Sequence, residues 1–406
     1  MSADGKVWIL AAVLLLAAPL SGCAGDGDGT QAAEDDANPG TENETTGNET
    51  EEADQAENEV PDPERGDHDG WSMAGHDAAR TNYAAGETGP TGNLSETWST
   101  DHDLYEAVTD GLVLAQDDEG SLVALATGNG VPVWDTDLAV GGKPAVADGT
   151  IYAFVDADEA ALAALDAETG EEQWRVAADQ AQVTLVGVTN GTIVSHEDST
   201  VVARDAGTGE VSWNYTTEDR VSVAAADGTV VAAVHTNADV AISAVDLESG
   251  EESWTYEHPY DMYPSRPVVA NGHVYVTLGD DGLYAFDLES GEESWTFEAG
   301  DGVSGKLAVD EDHVYVGSDP HVYALDGETG EEVWRYDAGS RVSGAPIVTD
   351  TQVYASSRTT GGGALHAIEI ASGEGTTISE GDDRTIDPGV VVDGTVFGDD
   401  AVFTDS

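Results

Sequence analysis

Tryptophan recurs along this chain at intervals of 36 to 41 residues, and this repeat constrains the fold more than any other feature. A period near 40 residues is typical of arrays in which each copy is one supersecondary unit packed against the next copy. The repeated residues are Trp98, Trp134, Trp174, Trp213, Trp254, Trp295 and Trp334. A chain of 406 residues built in this way grows by adding units rather than by enlarging one core.

Most of these tryptophans end a shared phrase, Ala-x-Asp-x-x-Thr/Ser-Gly-x-x-x-Trp, which in one copy contains Asp287, Ser290, Gly291 and Trp295. The Asp and Ser oxygens can bond nearby backbone amides and Gly accepts positive φ, so the phrase predicts a tight turn between two strands. Upstream segments such as 266–278, which contains four Val and one Tyr, predict two further strands. Four strands per repeat, without a helical period, indicate a β-propeller blade.

The ends of the repeat region determine the number of blades. Thr377 stands where an eighth tryptophan is expected, so the chain supplies eight outer strands. The first of them, residues 96–100, has no inner strands before it, whereas residues 389–404 supply inner strands without an outer one. We therefore predict an all-β, eight-bladed propeller of four-stranded blades over residues 67–406, its last blade closed by N- and C-terminal strands. The alternative is a seven-bladed ring with a frayed end.

The N-terminal residues predict that the protein is exported from the cytoplasm. Residues 7–20 are almost entirely apolar but too few for a comfortable membrane-spanning helix. The Leu-Ser-Gly-Cys run that ends at Cys23 resembles the lipobox of secreted lipoproteins. We predict a lipoprotein signal peptide at 1–22, a lipid on Cys23, and a location on the extracellular face of the cytoplasmic membrane. An uncleaved anchor with an incidental cysteine is the alternative.

Acidic residues dominate the rest of the chain. Residues 23–66 contain almost no large apolar side chain, which predicts a disordered acidic tether. The formal net charge is −68, and residues 66–406 alone hold 65 acidic and 11 basic side chains. Such a charge opposes binding to nucleic acid. Because molar salt screens the self-repulsion, we predict a halophilic protein, from an archaeon. A mesophilic acidic surface protein is the alternative.

The phrase, its tryptophan and its spacing resemble the repeat of pyrroloquinoline-quinone (PQQ) dehydrogenases and of their non-enzymatic, BamB-like lipoprotein relatives. The resemblance covers residues 70–406, and residues 71–81 resemble the lead-in to the first blade. In the dehydrogenases it implies a tryptophan floor, a ring of two adjacent cysteines, Ca²⁺ and a catalytic Asp. Cys23 is the only cysteine here, so the cysteine ring is missing.

We therefore predict a non-enzymatic binding or scaffolding module, without cofactor or metal. It would be a monomer that is anchored to the membrane by its lipid and binds a protein or glycan partner at the cell surface. Two other functions stay open. One is a PQQ-dependent dehydrogenase, and the other is an extracellular propeller that binds or senses a solute.

The few basic residues are not spread evenly. Six of the 11 in residues 66–406 lie in connectors between an outer strand and the next inner strand: Lys143, Arg220, Arg266, Lys306, Arg341 and Arg384. Connectors at the same place in successive blades ring one mouth of the central channel, so these side chains predict a site for an anion or an acidic partner. The alternative is that each base neutralises a carboxylate of a neighbouring blade.

Overall fold

The computed structural model describes residues 63–65, 72–73, 76–155, 160–178, 183–236, 239–259, 264–278, 282–299, 302–303, 306–359, 362–381 and 389–406. The elements in these ranges are all β-strands. The predicted signal peptide, Cys23 and nearly all of the predicted tether lie outside them. Within these ranges, no helix has the length and the hydrophobicity needed to cross a bilayer.

The strands form eight sheets, one for each blade. They are numbered in chain order, and each blade has an inner, a second, a third and an outer strand. The inner strands are β3 (Asp103–Thr109), β7 (Ala145–Ala147), β11 (Thr184–Thr189), β15 (Val221–Ala226), β19 (Val268–Ala270), β23 (Leu307–Val309), β27 (Arg341–Thr349) and β31 (Val390–Val392). The second strands are β4 (Leu112–Gln116), β8 (Thr150–Val155), β12 (Thr192–Glu197), β16 (Thr229–His235), β20 (His273–Thr277), β24 (His313–Ser318), β28 (Gln352–Thr359) and β32 (Thr395–Phe397).

The third strands are β5 (Ser121–Ala126), β9 (Ala161–Asp166), β13 (Thr200–Asp205), β17 (Val240–Asp246), β21 (Leu283–Asp287), β25 (His321–Asp326), β29 (Gly362–Glu369) and β33 (Ala401–Asp405). The outer strands are β6 (Pro132–Ala139), β10 (Glu172–Ala177), β14 (Val211–Thr216), β18 (Glu252–His258), β22 (Glu293–Phe297), β26 (Glu332–Asp337), β30 (Gly375–Gly381) and β2 (Leu94–Ser99). Blades 1 to 7 follow the chain from β3 to β30, and blade 8 contains β31, β32, β33 and β2.

The eight blades close into a ring, as predicted. Each inner strand contacts the inner strand of the next blade, and β31 contacts both β27 and β3. Blade 8 is completed by both ends of the chain, because β2 pairs antiparallel with β33 from Leu94 opposite Asp405 to Ser99 opposite Ala401. The alternative of seven blades with a frayed end is therefore wrong.

One blade departs from the four-strand pattern. A short strand, β1 (Tyr83–Ala84), pairs parallel with β27, with Tyr83 opposite Val348 and Ala84 opposite Thr349. Blade 7 is therefore five-stranded. The extra strand follows the predicted lead-in at 71–81, and we call the described part of residues 72–84 the lead-in.

The hydrophobic core lies between the blades. The second and third strands are sandwiched by neighbouring sheets, so both of their faces are buried, as in β8 and β25. One core cluster, for example, joins Tyr275 and Leu283 of blade 5 to Val314 and Leu325 of blade 6. The outer strands alternate between half-buried and exposed residues, as β14 does, because only one side has a partner.

Each tryptophan of the repeat contacts the turn of the next blade. Trp295 of blade 5 packs over Gly330 of blade 6, where an added Cβ would lie 2.5 Å from the indole. Its Nε1 also donates to the backbone oxygen of Gly327 at 3.0 Å. The turn is held by the backbone nitrogen and Oγ1 of Thr329, which donate to Asp326 Oδ1 at 2.8 and 2.7 Å. The same packing joins Trp98 to Gly130, Trp134 to Gly170, Trp174 to Gly209, Trp213 to Gly250, Trp254 to Gly291, and Trp334 to Gly373.

The joint between blades 7 and 8 has a different seal. Its outer strand carries Thr377 in place of tryptophan, and residues 86–92 lie against both blades. Tyr354 Oη of blade 7 donates to the backbone oxygen of Pro90 at 3.0 Å. On the blade 8 side, the backbone nitrogen of Gly394 donates to the backbone oxygen of Thr88 at 2.7 Å. The chain that leads into β2 therefore fills the joint that lacks an indole.

Candidate functional site

A large cavity lies at the centre of the ring. Its volume is about 1120 Å³, and all eight blades contribute residues at or just before their inner strands. Apolar side chains such as Val268, Leu307 and Ile347 form part of its wall. Propellers have a central channel, and a space of this size with a partly polar wall can admit an organic ligand.

The lead-in closes one end of this cavity. Backbone nitrogens at the same position of five inner strands donate to its carbonyl oxygens at 2.8 to 3.0 Å: Val146 to Ser72, Ala225 to Ala78, Val269 to Ala79, Val309 to Thr81, and Val348 to Asn82. Blade 3 makes room for the segment at Gly187, where an added Cβ would lie 2.6 Å from Met73 Sδ. The lead-in thus crosses the channel and forms a floor with Met73, Arg80 and Asn82, which line the cavity.

Four of the six predicted basic residues surround the opposite end. We call Lys143, Arg220, Arg266 and Lys306 the mouth; all four line the cavity and are exposed. They lie three to five residues before the positions that bind the lead-in, a distance of roughly 10–16 Å along a strand. The Lys143 ammonium pairs with Glu106 at 2.9 Å. Among the described residues, neither Arg220 nor Arg266 has an ion pair.

The other two predicted residues are placed differently. Arg341 does not line the cavity; it is the first residue of β27, where it is highly exposed and pairs with Asp319 at 3.6 Å. Strand β27 is longer than the other inner strands and has a register irregularity between Ser343 and Ile347. Gly344 and Ala345, rather than Arg341, therefore face the cavity. Arg384 lies outside the described residues.

Arg80 is a fifth basic residue in the cavity, and the sequence pattern did not single it out. It is 7% exposed, and its Nε donates to the backbone oxygen of Val223 at 2.9 Å. Burial, reinforced by the positive charge of Arg266, lowers the pKa of Arg80 to about 10, so the guanidinium remains charged at neutral pH. The only signal in the sequence was its place in the lead-in, a segment that has no counterpart in the repeats.

His196, on β12, also lines the cavity. Burial, followed by the charges of Arg80 and Arg266, lowers its pKa to about 4, so the imidazole is neutral at neutral pH. Its Nδ1 is buried without a hydrogen-bond partner among the described residues. His196 therefore adds a polar but uncharged group to the cavity, within reach of the charges of Arg80 and Arg266.

The cavity differs in charge from the rest of the molecule. Its described lining contains five basic side chains and three carboxylates, those of Glu106, Asp198 and Asp399. This excess of positive charge occurs in a chain whose formal net charge is −68. Within the described ranges, no group of three or more His, Cys, Asp or Glu side chains is arranged to hold a metal ion. The arrangement favours recognition of an anion through guanidinium and ammonium groups.

The family whose members are described as outer membrane protein assembly factor BamB matches residues 64–297 and 279–377, more than half of the chain. The chain belongs to this BamB family. No curated protein matches it significantly. At a coarse level, the BamB-like propeller supports a protein-binding scaffold.

Solved structures with the same fold come from several kinds of protein. BamB from Moraxella catarrhalis is 19% identical, with a TM-score of 0.56 over 77% of this chain and 97% of that one. The computationally designed Ika8 protein is 16% identical, with a TM-score of 0.60 over 76% and 99%. Quinohemoprotein alcohol dehydrogenase from Comamonas testosteroni is 15% identical, with a TM-score of 0.58 over 82% and 80%. At these identities the likeness shows the fold alone.

The dehydrogenase among these structures raises the question of whether a quinone cofactor would fit here. A planar quinone needs an aromatic face to stack on. The described lining of the cavity contains no Trp, Tyr or Phe, and no Cys. The seven repeat tryptophans lie on the outer strands, where they contact the next blade. The described residues therefore do not fit a quinone.

Proposed function

We propose that this BamB-family propeller is a non-catalytic binding module that captures an acidic segment of a partner protein at the mouth of its central cavity. The observation that carries the proposal is the concentration of Lys143, Arg220, Arg266 and Lys306 around one opening. Arg220 and Arg266 have no ion pair among the described residues, so they can serve a binding partner rather than a neighbouring blade.

The charge of the surrounding surface strengthens this proposal. A cationic opening in an acidic surface focuses the electrostatic potential, so an acidic segment is attracted at the mouth and repelled elsewhere. Charge complementarity of this kind mainly sets specificity and orientation. At molar salt, only groups that approach within a few ångströms retain a useful attraction. The module would therefore bind through direct contacts rather than through long-range steering.

We further propose that the module is held at the outer face of the cytoplasmic membrane by a lipid on Cys23, as part of the cell envelope. Support comes from the Leu-Ser-Gly-Cys run at Cys23 and from the family's description as an outer membrane protein assembly factor. In cells, C23S should shift the protein from the membrane fraction to the soluble or secreted fraction. Unchanged membrane association of C23S would contradict a lipid anchor.

The proposal of a non-catalytic module can be tested directly. Because the described cavity lining does not fit a quinone, we expect no dye reduction when the purified protein is given PQQ, Ca²⁺ and a panel of alcohols and sugars. An absorbance change on adding PQQ, together with dye reduction that depends on substrate, would favour the dehydrogenase alternative.

The binding test compares two double variants with the same change in charge. R266E/K306E reverses two charges at the mouth, whereas R175E/R335E reverses two on the outer strands, where Arg175 and Arg335 pair with Glu172 and Glu332. Each variant and the wild type are immobilised in molar KCl and exposed to a membrane extract. We expect a protein to be retained by the wild type and by R175E/R335E but lost from R266E/K306E.

Equal retention by all three would show that the mouth does not take part. Pretreating the extract distinguishes the kind of partner. Loss of retention after protease treatment supports a protein partner. Retention that survives protease but not deglycosylation would instead identify a glycan and overturn the proposal.

A further inference from the structure

Arg80 is a buried charge that has no close counter-ion among the residues the structure describes. Within the described residues, its side chain makes one hydrogen bond, to the backbone oxygen of Val223, and no ion pair with a carboxylate. Asp77 and Glu106 act on it only as more distant charges. Asp77 is engaged with Thr81, whose backbone nitrogen and Oγ1 donate to its carboxylate at 3.0 and 2.6 Å. A buried charge without a partner is costly, so a group that completes the set is expected.

The space that such a group would occupy is the floor of the cavity. Arg80 lines the cavity while being 7% exposed, so what remains accessible faces that space. Arg266 is close enough for its charge to lower the pKa of both Arg80 and His196, which places three side chains around one region. Two guanidinium groups that face the same space repel each other, and an oxyanion between them would relieve the repulsion.

The shape of the cavity narrows the class of ligand. A volume of about 1120 Å³ far exceeds that of an inorganic ion and is large enough to admit an organic ligand. Arg80 is at the floor, Lys143, Arg220 and Lys306 are at the mouth, and Arg266 starts at the mouth but is close enough to Arg80 for its charge to act on it. Val268 and Leu307 lie between the mouth residues and the positions that bind the lead-in, so they supply apolar wall between the two levels. A ligand with anionic groups at both ends of an organic body would satisfy both levels at once.

We propose that the cavity floor binds one carboxylate or phosphate group of a small organic polyanion, held by Arg80 and Arg266, while its other anionic groups reach the mouth. This site shares its cavity with the proposed function and depends on it in no other way. The floor holds a small ligand, whereas the proposed function concerns a protein segment at the mouth. The lead-in completes the site, since it carries Arg80 and closes the end of the channel.

The first test uses citrate and pyrophosphate as probes against the thermal unfolding of the full protein. KCl of matched ionic strength separates specific binding from screening, since a ligand that binds the native state raises the unfolding temperature with its concentration. We expect citrate, pyrophosphate or both to raise the unfolding temperature of the wild type above the KCl control. No rise with either probe would overturn the proposal.

The second test uses a matched pair of buried arginines. R80Q should weaken probe binding roughly ten- to hundredfold, the loss typical of a charge-assisted hydrogen bond in a buried site. R204Q is the control, because Arg204 is 6% exposed, donates from Nη1 to the backbone oxygen of Gly209 and does not line the cavity. Equal weakening in both variants, or in neither, would overturn the assignment to the floor.

A third variant keeps the test valid if R80Q fails to fold. R266Q changes an exposed side chain, so it should fold and still weaken probe binding at least about threefold, as a surface charge contact does. Unchanged binding in R266Q would overturn the shared site. Poly-L-glutamate forms a separate arm. If it binds while citrate and pyrophosphate do not, the floor site fails and the proposed function at the mouth survives.

Discussion

The outer part of the propeller and its central cavity are organised in opposite ways. Seven of the eight joints between blades use the same pair, an indole over a turn glycine. The cavity draws a different residue from each blade, for example Lys143 from blade 2, Leu185 from blade 3 and Gly389 from blade 8. The repeated contacts in the outer part hold the blades together, whereas the residues that differ between blades determine the charge and the shape of the central cavity.

The difference also separates stability from recognition. Contacts between tryptophan and glycine bury large apolar surfaces, so they contribute heavily to the free energy of unfolding. The cavity collects charged groups that stabilise the fold little or even weaken it, as expected of a binding site. Substitutions in the two regions should therefore differ in size and in what they affect.

The largest effect is expected for W334A. Trp334 is 9% exposed, and its Nε1 donates to the backbone oxygen of Ile370 of the next blade at 2.8 Å. We expect the free energy of unfolding, measured by denaturant titration in molar KCl, to fall by about 3–5 kcal/mol. The control is V333A on the same strand, where Val333 is 50% exposed and the change should stay within about 0.5 kcal/mol. Similar losses in both variants would contradict the role of the indole.

The next effect concerns pH and the cavity. The pKa of His196 is about 4 in the folded protein against 6.5 ordinarily, so the unfolded chain takes up a proton first as the pH falls. The stability associated with the neutral imidazole is complete above pH 6.5 and is lost as the pH falls towards 4. Across this window the wild type should lose about 3 kcal/mol more than H196Q. Parallel pH profiles of the two proteins would rule this out.

A smaller loss in the free energy of unfolding is expected when a turn glycine is replaced by alanine. Two such variants separate the cost of backbone strain from that of packing against the indole. Gly291 and Gly228 have φ values of +71° and +76°, but an added Cβ meets Trp254 at 2.5 Å only at Gly291. Alanine should cost about 1–2 kcal/mol of strain at either site. G291A should lose a further 1–3 kcal/mol or so from overpacking, measured as the difference between the two variants in denaturant titrations. Equal losses would show that the indole yields without cost.

The smallest effects are expected for single ion pairs in either region. Lys143 pairs with Glu106 at 2.9 Å at the mouth, and Arg335 pairs with Glu332 at 3.7 Å on an outer strand. All four groups are partly or largely exposed, so each coupling energy from a double-mutant cycle should be below about 1 kcal/mol. A coupling well above this at the mouth would mean that the pair organises the cavity as well as neutralising charge.

The sequence predicted the features that recur in successive blades, but it did not predict those that occur only once in the chain. The period of the tryptophans led directly to eight blades, because each copy reports the same local contacts. Thr377 could be recognised as an eighth outer strand from its frame alone, although residues 86–92 had not been expected to seal its joint. Arg80 lies in the lead-in, which has no second copy in the chain to compare with. The lead-in is held in the channel by backbone hydrogen bonds from five blades, and no single segment of the sequence reveals these.

The connector residues show a second limit. Lys143, Arg220, Arg266 and Lys306 reach the cavity because they come shortly before their inner strands. Arg341 looked equivalent in sequence, but the irregularity in β27 turns other residues towards the centre. Such an irregularity arises from how the strand pairs with its neighbours, and so it is not evident from the residues of one segment.

The pairing of β2 with β33 has a consequence for the order of events during biosynthesis. The first long strand of the propeller, β2, has its only neighbouring strand in residues 401–405, so it stays unpaired until those residues have been made. Residues 401–405 are therefore needed to complete blade 8 and close the ring. Removing them should leave blade 8 without its third strand, so that β2 has no partner and the exposed strand edges can pair with other copies of the chain.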